Sequence, residues 1–162
     1  LGTFQRSLIS GQSAYDRFHY KNTHSALSES QQRGMSLFFG KAGCNNCHSG
    51  FNFTDYSFKN NGLYTAYADE GRRRLTGLEK DEALFKVPSL RNVELTAPYM
   101  HDGSLATLEA VVEHYNYGGE RHPNKSSLIE PLNLTDEEKK ELVTFLKSLT
   151  DHQFIADSRY HQ

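Results

Sequence analysis

Cys44-Asn45-Asn46-Cys47-His48 constrains this chain more than any other stretch. Two thiols three positions apart, followed at once by a histidine, form the pattern of a c-type haem attachment site: each sulfur adds to a haem vinyl group and the imidazole ligates iron. Other uses of a cysteine pair fit less well. A structural zinc site needs four protein ligands, and with two cysteines the others would have to come from the eight histidines, which show no zinc-ligand spacing. A thioredoxin-like redox disulfide belongs in a βαβ setting, and no such pattern is visible.

At 162 residues the chain is expected to form one domain, long enough to bury roughly 70% of the surface exposed when unfolded. Its formal net charge of -2 is spread over interspersed acids and bases, so nothing suggests a nucleic-acid partner. Mean hydropathy is -0.69, no apolar run is long enough to insert in a membrane, and no signal-peptide pattern begins at Leu1. Covalent attachment of haem to such a motif takes place outside the bacterial cytoplasm. The expectation is a periplasmic or otherwise exported protein, seen as a mature or trimmed chain cut from something longer.

Phe4, Leu8 and Ile9 are spaced like one helix face, and Tyr15, Phe18 and His19 like another after a break at Gly11. Both read as core or docking surface. Leu27-Ser28-Glu29-Ser30-Gln31 is a staple and capping box that opens a helix carrying Met35, Phe38 and Phe39 on one side. Gly40 ends it, as a left-handed C-terminal residue would. From Ser49 to Lys80 the chain reads as irregular loop with one short helical turn, in which Phe51, Phe53, Tyr56 and Phe58 either wall the cofactor or pack ordinarily. Arg72, Arg73 and Arg74 read as a solvated loop, with a haem propionate or a partner surface as the alternative.

The prolines and the Asp102-Gly103 step in Phe85 to Gly103 predict a tightly fixed extended loop. Thr107 then caps a helix whose inward stripe is Leu108, Val111, Val112 and Tyr115, with Glu113 and Asn116 pointing away and Gly118-Gly119 ending it. A second capping box, Leu134 to Glu138, opens the last helix, with Leu142, Val143, Phe145, Leu146 and Leu149 buried. From Asp151 a polar tail runs over the surface or towards a neighbour. The fold class is therefore mainly α and cytochrome c-like, with helices joined by long loops around one covalent haem.

His48 is the proximal ligand on this reading. Met100, His101, His114 and Tyr115 lie where a second axial ligand would come from. A thioether such as Met100 suits a high-potential electron-transfer haem, whereas a Tyr115 phenolate favours ferric or higher states. Helical phase turns Tyr115 inward and His114 to the flank. Phase alone does not separate a ligand from a core tyrosine.

Cys44 to His48, Phe85-Lys86-Val87-Pro88-Ser89-Leu90-Arg91-Asn92-Val93, Leu95-Thr96-Ala97-Pro98-Tyr99-Met100-His101-Asp102-Gly103 and Leu108 to Tyr115 occur in that order. Together they resemble the C-terminal haem domain of bacterial di-haem cytochrome c peroxidases and their MauG-type relatives, from Phe4 through the final helix. The resemblance implies the electron-handling half of a two-haem protein, in which peroxide reacts at an N-terminal haem. It implies Tyr115 as distal ligand, where MauG-type members carry tyrosine and peroxidases methionine, with Met100 as the alternative. It further implies main-chain carbonyls of Thr96 and Pro98 on an interdomain calcium, and Lys86, Arg91 and His101 meeting propionates. This sequence departs from the family in having one attachment motif and no tryptophan, so peroxidase activity is not assigned to it alone.

Residues 1–26 are accordingly expected to be a helical lead-in docking on an N-terminal haem domain, 27–150 the haem-binding core and 151–162 a tail. A redox protein donor or a protein substrate is the other implied partner. Two rival functions remain: an independent mono-haem electron carrier, and a non-haem module using the cysteines for zinc or a disulfide.

Overall fold

The computed structural model describes Gly2 to Tyr160; of the expected lead-in and tail, Leu1, His161 and Gln162 lie outside the described residues. Helices α1 (Gly2–Ser7), α2 (Ala14–Lys21) and α3 (Glu29–Phe39) precede the cysteines: Cys44 opens a 3-10 turn, Cys44–Asn46, and Cys47 caps it. Strand β1 (Phe58–Lys59) follows, then a four-residue helix α4 (Arg73–Thr76) and strand β2 (Phe85–Lys86), antiparallel to β1. The chain ends with α5 (Leu108–Tyr117), α6 (Asp136–Lys147) and α7 (His152–Ile155). The expected mainly α architecture is what the chain adopts. No helix among the described residues is long and apolar enough to cross a membrane.

Helix starts follow local chemistry. Ser28 with Gln31 and Thr135 with Glu138 each form the reciprocal capping box expected, pairing amide donors that the helix itself leaves free. A third box, Ser13 with Asp16, opens α2.

α3 packs along α6 as the most extensive helix contact, and α5 leans on α6 beside it. That crossing is close: a methyl group on Gly34 would lie 2.0 Å from the Glu141 carbonyl oxygen. Around it Phe38, Phe53, Leu108, Val112, Leu142, Phe145, Leu146 and Leu149 are buried, with Tyr15 from α2 in the same cluster. Burial of such side chains stabilises by about 1.5–3 kcal/mol each relative to exposure.

Several details depart from expectation. Gly40 has φ -115° and ψ -110°, not a left-handed conformation; a methyl there would meet the Ser36 carbonyl oxygen at 2.7 Å. Phe39 is 43% exposed while Phe38 is fully buried, because the α3 stripe facing α6 is too narrow for adjacent residues. Asn116 does not point away: its side-chain oxygen accepts from the Leu134 amide. The tail folds back over the start of the chain. Asp151, 1% exposed, caps Phe154 and accepts from the amides of Gly11 and Gln12. Tyr160 donates to the Ser7 carbonyl and packs on Phe4.

Candidate haem site

Helix α3 delivers the motif through Gly43, left-handed at φ 58°. The amides of Cys47 and His48 both donate to the Cys44 carbonyl, at 3.2 and 2.9 Å, so the two sulfurs project from one tight turn. Cys44 packs against the hydrophobic core. Burial pushes its thiol up to about 12 and raises that of Cys47 as well. Both are free thiols, and among the described residues no group of three or more His, Cys, Asp and Glu side chains could hold a metal ion.

His48 Nδ1 lies 3.0 Å from the Phe53 carbonyl oxygen. That oxygen can only accept, so Nδ1 carries the proton and Nε2 keeps its lone pair for a metal. Burial lowers the His48 pKa, and hydrogen bonds to the carbonyls of Phe53 and Pro88 oppose this. Neutral imidazole is the form that ligates.

The candidate distal side chains come together. Asn61 Nδ2 donates to Met100 Sδ at 3.1 Å and to the Tyr115 hydroxyl at 3.3 Å. Burial raises the Tyr115 phenol pKa; the Asn61 amide pulls it down, and Cys44, Cys47 and Tyr67 push it up through their charges. His114 stands apart. Its Nε2 donates to the Asn61 carbonyl at 3.1 Å, which occupies the nitrogen and fixes the backbone of the residue that serves the other two. Asn61 carries no metal-ligand signature, so the sequence alone does not single it out.

Of the residues tied to propionates by resemblance, Lys86 is exposed above the Tyr56 ring, and His101 is exposed and stacked on Phe85 at 3.8 Å. Arg91 is largely committed: Nη1 donates to both oxygens of Asp16 and Nε to the Phe51 carbonyl. Its Nη2 is buried without a hydrogen-bond partner. Thr96 and Pro98 lie on exposed backbone either side of the cis Ala97–Pro98 bond. Phe53 is buried in the core, whereas Phe51, Tyr56 and Phe58 are exposed. Arg72, Arg73 and Arg74 pair with Asp81, Glu82 and Asp69.

No family model matches the chain. It is 44% identical over 151 residues to the methylamine utilization protein MauG of Methylorubrum extorquens, covering 92% of this chain and 42% of the relative. It is 36% identical over 182 residues to the cytochrome-c peroxidase IdrP1 of Denitromonas iodatirespirans, covering 93% of this chain and 48% of the relative. The chain thus spans less than half the length of these relatives. Among solved structures, a MauG-like protein associated with microbial copper homeostasis superposes with TM-score 0.89 at 40% identity, over 97% of this chain and 57% of the other. Motif, helical order and these likenesses agree over nearly the whole chain. The chain belongs to the MauG and bacterial di-haem cytochrome c peroxidase family.

Proposed function

We propose that this chain is the C-terminal, electron-handling haem domain of a di-haem peroxidase or MauG-type oxidase, with haem c held through Cys44 and Cys47. The observation that carries the reading is the pairing of a half-buried Cys44–His48 turn with the half-buried Tyr115 phenol. His48 keeps Nε2 free, and the Tyr115 hydroxyl, desolvated like the Cys44 thiol, accepts from Asn61 Nδ2 at 3.3 Å. The haem, when bound, supplies a one-electron couple whose potential its axial ligands set.

The chain's own residues prepare for it. His48 is held in one tautomer by the Phe53 carbonyl. Asn61 offers Tyr115 a hydrogen bond that favours the phenolate, the form an iron ligand takes. Arg91 Nη2, buried and unpartnered, and the exposed Lys86 and His101 are the donors proposed for propionates. Thr96 and Pro98 would offer carbonyl oxygens to calcium, whose remaining ligands would come from an N-terminal haem domain. That domain, and a donor or substrate protein, are the proposed partners, and the periplasm or another exported compartment the proposed location.

An independent mono-haem carrier is the second reading. It is favoured by Met100 Sδ, which lies on the same Asn61 amide as Tyr115. Visible spectra of the oxidised and reduced chain, matured with haem, separate them. A ferric phenolate charge-transfer band supports the proposal, a thioether-to-iron band supports the carrier, and a pyridine haemochrome test without c-type haem overturns both.

A further inference from the structure

Phe53, whose carbonyl receives the His48 Nδ1 proton, has φ +50°. A bulky side chain pays for a left-handed backbone, so its surroundings must hold it there. Part of the hold is local to the motif: the Phe53 amide donates to the Gly50 carbonyl at 3.1 Å and the Asp55 amide to the Cys47 carbonyl at 2.8 Å. The rest comes from outside it. Arg91 Nε donates to the Phe51 carbonyl at 2.8 Å. The Arg91 amide donates to Ser89 Oγ at 3.1 Å, and that hydroxyl donates to the Asn52 carbonyl at 2.6 Å. The guanidinium carbon sits 4.2 Å from the Phe51 ring centre and 5.4 Å from that of Phe53. Three consecutive residues of the turn are thus gripped by two, Ser89 and Arg91.

Arg91 is gripped in turn. Its Nη1 lies 2.6 and 2.8 Å from the two oxygens of Asp16 in α2, and the two side chains are 6% and 1% exposed. Asp16 is itself fixed by the amide and hydroxyl of Ser13, at 2.9 and 2.7 Å. A buried pair of this kind is rigid, because removing one charge leaves the other desolvated and uncompensated.

We propose that Asp16 and Arg91 are positioning residues for the proximal ligand: the pair locks the 51–53 turn so that the Phe53 carbonyl stays on His48 Nδ1 and keeps the imidazole electron-rich towards iron. Partners of a ligand's second nitrogen orient the ring and raise its basicity. A more basic imidazole stabilises ferric over ferrous iron, so loosening the turn raises the reduction potential. The inference rests on haem binding at His48, as proposed above.

The test uses the full chain matured with haem, comparing the unaltered protein with Asp16→Asn, Ser89→Ala and, as a remote control, Lys139→Gln on α6. The readouts are the reduction potential and the iron–histidine stretching frequency. Ser89→Ala removes one grip and no buried charge, so it serves if Asp16→Asn fails to fold. Upward potentials and a lowered stretching frequency in Ser89→Ala, larger in Asp16→Asn, with Lys139→Gln unchanged, are expected. Haem-loaded Ser89→Ala with both readouts unchanged overturns the positioning role, as does an equal shift in Lys139→Gln. Absence of covalent haem from the unaltered chain overturns the reading of the site itself.

Discussion

Met100 and Tyr115 meet at a single amide: Asn61 Nδ2 is 3.1 Å from the sulfur and 3.3 Å from the hydroxyl oxygen. The two rival distal ligands therefore belong to one cluster, although they come from a loop and a helix fifteen positions apart. Met100 has φ +74°, uncommon for any residue other than glycine. On the proposed haem reading, the same side of the site offers a soft ligand or a hard one, and the choice between them would set the range of potential.

Substitution separates them. Tyr115→Phe should convert the ferric haem from six-coordinate to five-coordinate or water-ligated, with loss of the phenolate band, while Met100→Leu should leave that band in place. The reverse pattern in visible and EPR spectra would move the axial role to Met100.

Tyr15 makes a pH prediction that needs no haem. Burial in the core, followed by the charge of Tyr20, pushes its phenol from 10.0 up to about 12. Between those values the unfolded tyrosine has lost its proton and the folded one keeps it, so the native state binds more protons and stability falls as pH rises. Two pH units correspond to at most about 2–3 kcal/mol. Urea midpoints measured from pH 9 to 12 should fall less steeply for Tyr15→Phe than for the unaltered chain; parallel curves would count against it.

The sequence revealed what is local. The capping boxes at Ser28 and Thr135 and the stripe from Leu142 to Leu149 depend on residues within a turn or two, and so does the Cys44–His48 motif. The third box escaped notice because Asp16 replaces the usual Glu or Gln at its third position. Asn61, Asp16 and Asp151 were illegible for another reason: their roles depend on partners 39 to 140 positions away, and neither a polar residue in a loop nor one at the start of a short helix has a periodicity that betrays burial. Gly34 was silent too, since a glycine inside a helical pattern suggests no neighbour by itself.

Its neighbour is nevertheless close. A methyl at position 34 would lie 2.0 Å from the Glu141 carbonyl oxygen and 2.8 Å from Phe145 Cβ, and backbone cannot step aside as a flexible side chain can. Gly34→Ala should force α3 away from α6 and cost about 2–3 kcal/mol, even though alanine is the better helix former by about 1 kcal/mol. Thermal unfolding would register a lower midpoint. An unchanged or raised midpoint would mean that the two helices part at little cost.

Asp151 joins the two ends of the chain. Its Oδ2 accepts from the amides of Gly11 and Gln12 at 2.9 and 2.8 Å, and its Oδ1 from the amide of Phe154 at 2.9 Å. Asp151→Ala would strip three amides of their acceptor, each costing about 1–3 kcal/mol if it stays buried. Release of the segments into water is cheaper, because α1 has no buried residue. The expected result is therefore local: hydrogen exchange should quicken at residues 2–12 and 152–160, while α3, α5 and α6 keep their protection. Uniformly faster exchange across all helices would instead show that these ends stabilise the whole domain.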